Sequence, residues 1–420
     1  MHEARVSGRY ERKKDMKRET KIAGAAVMAA LGSNFAHAQG TERLKVGLIG
    51  CGGRGNGAVN DVLAADKGVE IWAVGDAFED KAKASADKFK VPASRCFAGL
   101  DAYKGVLESG VDYVILATPP GFRPVHLKAA VEAGKHVFME KPVAVCPTGV
   151  RMVLAAAEQA QKKNLGIVAG TQRRHQASYV ETIKRLHEGA IGEILTMSVY
   201  WCQGGMWHVP RKEGWSDLDW QLRNWQYFTW LGGDHIVEQH IHNIDVACWV
   251  LRATPISAYG SGGRQARTGP EFGHIFDHFG VEFEFPNDVR VKSLCRQIDG
   301  CDNVIGEYVA GTEGRANPGG SIDGKVKWRY EGPPTNPYVQ EHADLIKSIR
   351  DGKPLNEGRQ VAESTMAAIM GRMTCYTGKR ISWDAAMKSK LDLVPGSGID
   401  VNKLPVWEEA KPGKETFWKA

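Results

Sequence analysis

The stretch Val46-Gly-Leu-Ile-Gly50-Cys-Gly52-Gly53-Arg54-Gly55-Asn56 decides the fold. A short apolar strand runs straight into glycines at 50, 52 and 55, which is Gly-x-Gly-x-x-Gly between a strand and a helix. Gly50 permits the tight turn, Gly52 lets a pyrophosphate approach the backbone, and Gly55 lets the helix pack closely on the strand. Gly53 and Arg54 sit in the same loop, where the free N–H groups and dipole of the following helix suit an anion. Downstream, Val69–Asp76 (Val-Glu-Ile-Trp-Ala-Val-Gly-Asp) has the character of a second buried strand ending in a carboxylate. Asp76 is therefore expected to hydrogen-bond an adenosine ribose. A carboxylate there repels a 2′-phosphate, so NAD is expected over NADP, with Arg54 the residue that argues the other way.

Working outward, apolar strands alternate with amphipathic helices from Lys45 to about Gly170. Val46–Ile49, Val69–Val74, Tyr113–Ala117, His136–Met139 and Leu165–Ala169 are the expected strands, with a helix over Thr148–Lys163. This is the pattern of a doubly wound parallel sheet. Beyond Gln172 the texture changes. A helix Tyr179–Glu188 ends at Gly189, and Ile194–Trp201, Ile256–Gly260, Phe276–Phe285 and Val289–Gln297 show the period-two alternation of an open, mainly antiparallel sheet. Such a sheet, covered on one face only, points to a homo-oligomer. Pro337–Gly352 and Gly358–Gly378 are expected helices that return to the first domain, and Ser389–Ala420, with Pro395, Pro405 and Pro412, an extended wrap. The expected organisation is a leader over 1–40, a dinucleotide-binding domain over 41–170, a substrate and oligomerisation domain over 171–335, returning helices over 336–385 and a tail over 386–420.

The chain has 420 residues and a formal charge of +6. Residues 1–21 hold eight Lys/Arg against four Asp/Glu and 22–38 hold neither, so only +2 belongs to 39–420. Nothing in that remainder calls for nucleic acid. The front end has the form of an export signal: Lys17, Arg18 and Lys21, an apolar run Ile22–Leu31, then Ala36-His37-Ala38 as a small-x-small cleavage site, with Met16 a possible start. A disordered basic leader or an N-terminal helix is the alternative. The run is too short for a stable membrane span. Export of a dinucleotide enzyme implies loading in the cytoplasm and passage as a folded protein, although Lys17-Arg18 is not the Arg-Arg of the twin-arginine route. The eight cysteines form no Cys-x-x-Cys pair and have the distribution of small buried hydrophobes; Cys295 and Cys301 are a pair that an oxidising compartment could bridge.

Two segments carry the expected chemistry. Phe138-Met-Glu140-Lys141-Pro142 ends a strand of the first domain, where open sheets place their ligand crevice, so Lys141 is aimed at that crevice. In Gly232-Gly-Asp-His-Ile-Val-Glu-Gln-His-Ile-His-Asn-Ile-Asp245, Asp234 suits a helix N-cap, and His235, Glu238, His242 and Asp245 follow at i, i+3, i+7 and i+10 on one face. His242 titrates near neutral pH and accepts a hydroxyl proton, Lys141 stabilises the developing alkoxide, and Glu238 or Asp245 orients the imidazole. No metal is expected: on one helix His240 and His242 point about 200° apart.

With Ala117-Thr118-Pro119-Pro120 and Glu140-Lys141-Pro142-Val143, these segments resemble the Gfo/Idh/MocA oxidoreductases from about Lys45 to Asp384. The resemblance implies a Rossmann domain followed by an open-sheet α/β domain, NAD(P) as cofactor, and sugar or cyclitol hydroxyls as substrate. By motif, Lys141 stands for the family's catalytic lysine and His242 for its catalytic histidine. Glu238 stands where aspartate is usual and His240 where glycine is usual, which implies a specialised subgroup. Gly50, Gly52, Gly53, Arg54, Gly55, Asp76, Thr118, Pro119, Glu140 and Lys141 are the expected cofactor contacts.

Between Trp201 and the histidine segment lie Trp207, Trp215, Trp220, Trp225, Tyr227 and Trp230, flat rings among charges that suit a pyranose. Trp207, Trp225, Tyr227, His235, Gln172 and Arg173 are the expected sugar contacts. The expected activity is an exported, NAD-dependent oxidation of a sugar or glycoside to a keto-sugar, with the cofactor tightly held. Its rivals are redox-neutral glycoside cleavage through a transient keto intermediate, and an NAD-binding sensor without catalysis.

Overall fold

A computed structural model describes residues 43–394, 404 and 408–414. The leader 1–40 and much of the tail fall outside the described residues. Strands β1 (Leu44–Ile49), β2 (Val69–Asp76), β3 (Cys96–Ala98), β4 (Tyr113–Leu116), β5 (His136–Met139) and β6 (Ile167–Ala169) form one sheet, ordered β3-β2-β1-β4-β5-β6 and parallel throughout. Val46, Leu48, Val114, Ile115 and Phe138 are fully buried, as expected of strands covered by helices on both faces.

The second sheet has nine strands: β7 (Ile194–Gln203), β8 (Ser257–Gly263), β9 (His278–Glu284), β10 (Arg290–Gln297), β11 (Val304–Gly311), β12 (Gly314–Asn317), β13 (Ser321–Gly324), β14 (Trp328–Arg329) and β15 (Ile381–Ser382). Their order is β14-β13-β12-β11-β7-β10-β9-β8-β15. It is mixed rather than purely antiparallel, because β7 and β10 run parallel while the other pairs are antiparallel. A helical crossover joins β7 to β8, and the meander from β8 through β9 brings β10 back beside β7 in the same direction.

Helix Gly358–Thr377 is buried along almost its whole length between the two sheets, with Met366, Ile369, Met370 and Met373 in the large core. Leu345, Ile346 and Ile349 of helix Pro337–Arg350 join the cluster of Val46, Val59 and Val62 in the first domain. The cysteines are free, with Cys295 buried and Cys301 exposed, so the pair is not bridged. No helix among the described residues is long and apolar enough to cross a membrane.

Candidate active site

The glycines do what their spacing requires. Gly50 has φ +101°, and a Cβ there would meet the Thr118 backbone nitrogen at 2.5 Å. A Cβ on Gly55 would run into the Gly50 carbonyl oxygen, whereas one on Gly52 or Gly53 would meet nothing within 4 Å. The turn is thus closed on the protein side and open where a pyrophosphate would lie. Helix Gly53–Ala65 starts with Gly52 as N-cap and no side-chain cap, leaving its first N–H groups for an anion. Asp76 receives the Cys51 N–H at 2.7 Å and the Phe78 N–H at 2.9 Å, which fixes its carboxylate at the lip.

Gly50, Gly52, Asp76, Thr118 and Pro119 line one cleft at the carboxyl edge of the parallel sheet. Arg123, a buried residue the sequence reading missed, donates to the Leu116 and Thr118 carbonyls and shapes that edge. Arg54 turns to Glu140, Nε to Oε1 at 2.7 Å, and to Asp61 at 2.8 Å. Two carboxylates therefore occupy the arginine that would have favoured a 2′-phosphate.

The helix carrying the histidines is broken. One turn covers His235–Glu238, and a second helix covers Ile241–Leu251. Asp234, at φ +81°, starts the first turn, accepting from the His235 and Phe276 N–H groups and from Tyr376. Burial raises its carboxyl to about 7 against the pull of these hydrogen bonds. After the break the His242 N–H reaches the Gln239 carbonyl at 3.5 Å, so the Glu238 carbonyl loses its usual donor four residues on. Lys141 supplies one: its Nζ donates to the Glu238 carbonyl and, at 3.0 Å, to Glu238 Oε1. An ammonium has three N–H groups, which leaves one for a substrate oxygen.

His242 is buried, its ring stacked on Trp201 at 5.4 Å between centroids, and its Nδ1 has no partner among the described residues. Burial first, then the charges of Lys141, Arg173 and His240, push its pKa well below the ordinary value. The expectation of a near-neutral titration is corrected: a desolvated imidazole beside two cations stays neutral. Neither carboxylate expected to orient it does so. Glu238 is taken by Lys141 and Gln239, and Asp245 holds Arg174 in a bidentate pair at 2.8 and 2.9 Å and accepts from Ser364. The four residues therefore sit on two helices, His235 and Glu238 before the break and His242 and Asp245 after it. Gln239 and His240 keep right-handed helical backbone angles through the break, and His240 Nε2 meets Ser293 Oγ at 2.8 Å. His235 is buried, and burial lowers its pKa to about 4. Among the described residues no group of three or more His, Cys, Asp or Glu is placed to hold a metal ion.

The expected sugar contacts divide. Arg173 pairs with the fully buried Glu307 and lies over Tyr179 and Trp201, next to His242. Glu307, on β11, also receives Asn243 Nδ2 at 2.7 Å and the Tyr179 hydroxyl at 3.0 Å; sequence reading missed it, since a lone glutamate in an alternating strand carries no mark of burial. Gln172 reaches the Tyr338 hydroxyl at 3.3 Å. Tyr227 is corrected to a core position, donating to the Met206 carbonyl and accepting from Arg267. Trp207 is 47% exposed, and Trp225 lines the cleft beside Asp76 instead of the Lys141–His242 pair.

Two family models match this chain: the oxidoreductase family with NAD-binding Rossmann fold over residues 44–167, and the GFO/IDH/MocA C-terminal domain over 179–317. The chain belongs to the Gfo/Idh/MocA oxidoreductase family. Inositol 2-dehydrogenase 4 of Saccharopolyspora erythraea is 34% identical over 157 residues, 37% of this chain and 44% of that protein. The 2,7-anhydro-N-acetylneuraminate hydratase of Escherichia coli is 30% identical over 177 residues, 42% of this chain and 43% of that protein. The chain thus spans less than half the length of these two relatives. The WlbA dehydrogenase of Bordetella pertussis, solved with NADH and UDP-GlcNAcA, shares the fold with a TM-score of 0.65 at 18% identity, covering 81% of this chain and 99% of that one. The first domain of this Gfo/Idh/MocA member is an NAD-binding Rossmann domain, and the open backbone at Gly52, the Asp76 carboxylate and the neutralised Arg54 fit that cofactor.

Proposed function

We propose that this family member oxidises a secondary hydroxyl of a sugar or glycoside to a keto-sugar. The observation that carries the reading is the Lys141 ammonium, held by the Glu238 carbonyl and carboxylate with one N–H to spare, beside a His242 that burial first and this ammonium second keep neutral. His242 takes the hydroxyl proton, and Lys141 hydrogen-bonds the oxygen as its charge grows. NAD held at Gly52 and Asp76 would supply the hydride acceptor for the carbinol carbon. Arg173, anchored by Glu307, orients further hydroxyls.

Redox-neutral cleavage, in which the hydride returns after elimination of an aglycone and addition of water, is the second reading. One finding favours it: a relative is named a hydratase, and hydration changes no net oxidation state. The proposal includes export in folded form, resting on the leader residues Lys17, Arg18 and Ile22–Leu31. The test is to incubate NAD-loaded protein with sugars, cyclitols and glycosides, following both reduced nicotinamide and products. Accumulating NADH with a keto-sugar supports the dehydrogenase. Free aglycone without NADH supports the redox-neutral cycle, and bound NAD with no product from any of them points to a sensor.

A further inference from the structure

We propose that Leu222 and Trp225, which belong to the second domain, form a roof over the adenosine half of the NAD cleft and make the dinucleotide a resident, slowly exchanging group. This rests on NAD occupying the cleft lined by Gly50 and Asp76. In that lining Leu222 and Trp225 are the two residues from outside the Rossmann domain. Their segment is a built element. Helix Asp217–Arg223 is closed by a capping box, with Ser216 Oγ accepting the Asp219 N–H at 3.1 Å and Asp219 Oδ2 accepting the Ser216 N–H at 3.2 Å. Fully buried Asn224 donates to the Glu271 carbonyl at 2.7 Å and accepts the Val209 N–H at 2.9 Å. Trp225 packs edge-on against Trp207, at 6.1 Å between centroids.

The same segment is latched to the Rossmann lip. The Arg223 guanidinium lies 3.7 Å from the centroid of the Phe78 ring and 3.4 Å from the Asp80 carboxylate. Phe78 is two residues past Asp76 and lines the cleft itself. Leu222, Tyr227 and Trp230 then form one apolar cluster with Phe78, Phe122 and the tail residues Leu391 and Leu393. Escape of an adenosine through the roof requires parting that cluster, which exposes apolar surface to water. The cost falls on dissociation, so it slows release of a cofactor already bound.

The test compares release of labelled NAD into excess unlabelled NAD for the wild type, the Leu222→Ala/Trp225→Ala double variant, and Arg223→Ala. Arg223→Ala leaves both roof residues in place and loosens only the latch, so it decides the matter if the double variant fails to fold. At about 1.4 kcal/mol per factor of ten, removing two cleft-facing apolar side chains is expected to speed release about tenfold or more; Arg223→Ala gives a smaller increase, with thermal melting close to wild type. Release at the wild-type rate in the folded variants overturns the roof while leaving the NAD site standing. A wild type that takes up no NAD overturns the functional reading on which the roof depends, and the roof with it.

Discussion

His242 carries the proton in this account, and its surroundings set the pH at which it can do so. The neutral imidazole is the competent base, and burial with Lys141, Arg173 and His240 nearby holds its pKa well below the ordinary value. The acid limb of the kcat profile is therefore expected well under the usual histidine value of about 6.5, with the rate flat as pH falls through that value. A midpoint near the ordinary value would contradict the assignment. His242→Ala is expected to lower kcat by about 10² to 10⁴, with NAD still bound in equilibrium dialysis. Asp76→Ala acts elsewhere: loss of hydrogen bonds to a carboxylate weakens NAD about tenfold to a hundredfold, and unchanged affinity in titration calorimetry would remove Asp76 from the ribose site. At this scale, motif and position identify Gly50, Asp76, Lys141 and His242, because each stands at a strand end or follows a glycine turn. Partnerships are not legible in this way. Tyr227 and Trp225 both count as flat rings before a histidine segment, yet one is bonded to Arg267 inside the core and the other faces the adenosine cleft.

The break after Glu238 shows why a helical stripe misleads. No glycine or proline marks it, yet it sends the Glu238 carbonyl to Lys141 and divides His235 and His242 between two helices. Asp245, beyond the break, becomes a structural anion. Its pair with Arg174 is nearly buried, with side-chain exposures of 2% and 11%, so Asp245→Ala leaves a guanidinium without its partner. The expected loss is about 3–5 kcal/mol in denaturant unfolding, with kcat of the folded fraction changed only a few-fold. A collapse of kcat at unchanged stability would return Asp245 to the catalytic machinery. Of the elements, five of the six parallel strands are legible as apolar runs, whereas the short, partly exposed β3 and β11 to β14 are not. Val304, Ile305 and Tyr308 are exposed while Glu307 is buried, which inverts the pattern that marks a strand covered on one face.

On the scale of the whole molecule, burial dominates the histidines. It lowers His126, His240, His274 and His342 to about 3, and His136 and His235 to about 4. In the unfolded chain these rings take up protons near the ordinary value, so the unfolded state binds more protons as pH falls and stability is lost in that direction. Asp234, raised to about 7, acts in the opposite sense, its contribution falling as pH rises toward that value. His175, lifted to about 9 by Asp344 and Glu357 against the effect of burial, contributes stability in full below the ordinary value and loses it as pH rises from there to about 9. The histidines outnumber these two, so Tm by calorimetry is expected to fall steadily from neutral pH toward pH of about 4; a flat or rising Tm would contradict the burial assignments. The outer face of the nine-stranded sheet carries Leu294, Val304 and Tyr308 exposed, an apolar patch of the kind the expected homo-oligomer needs. Leu294→Asp with Tyr308→Asp is expected to give a monomer by light scattering where the wild type gives an oligomer; a monomeric wild type would refute that assembly. The proposed chemistry is hydride transfer from a hydroxyl-bearing carbon to NAD under the control of Lys141 and His242. Its most direct test is single-turnover formation of reduced nicotinamide in NAD-loaded wild type, Lys141→Ala and His242→Ala with a sugar that the wild type oxidises. A burst is expected in the wild type and none in either variant despite full NAD occupancy, and an undiminished burst in either would contradict the roles of Lys141 and His242.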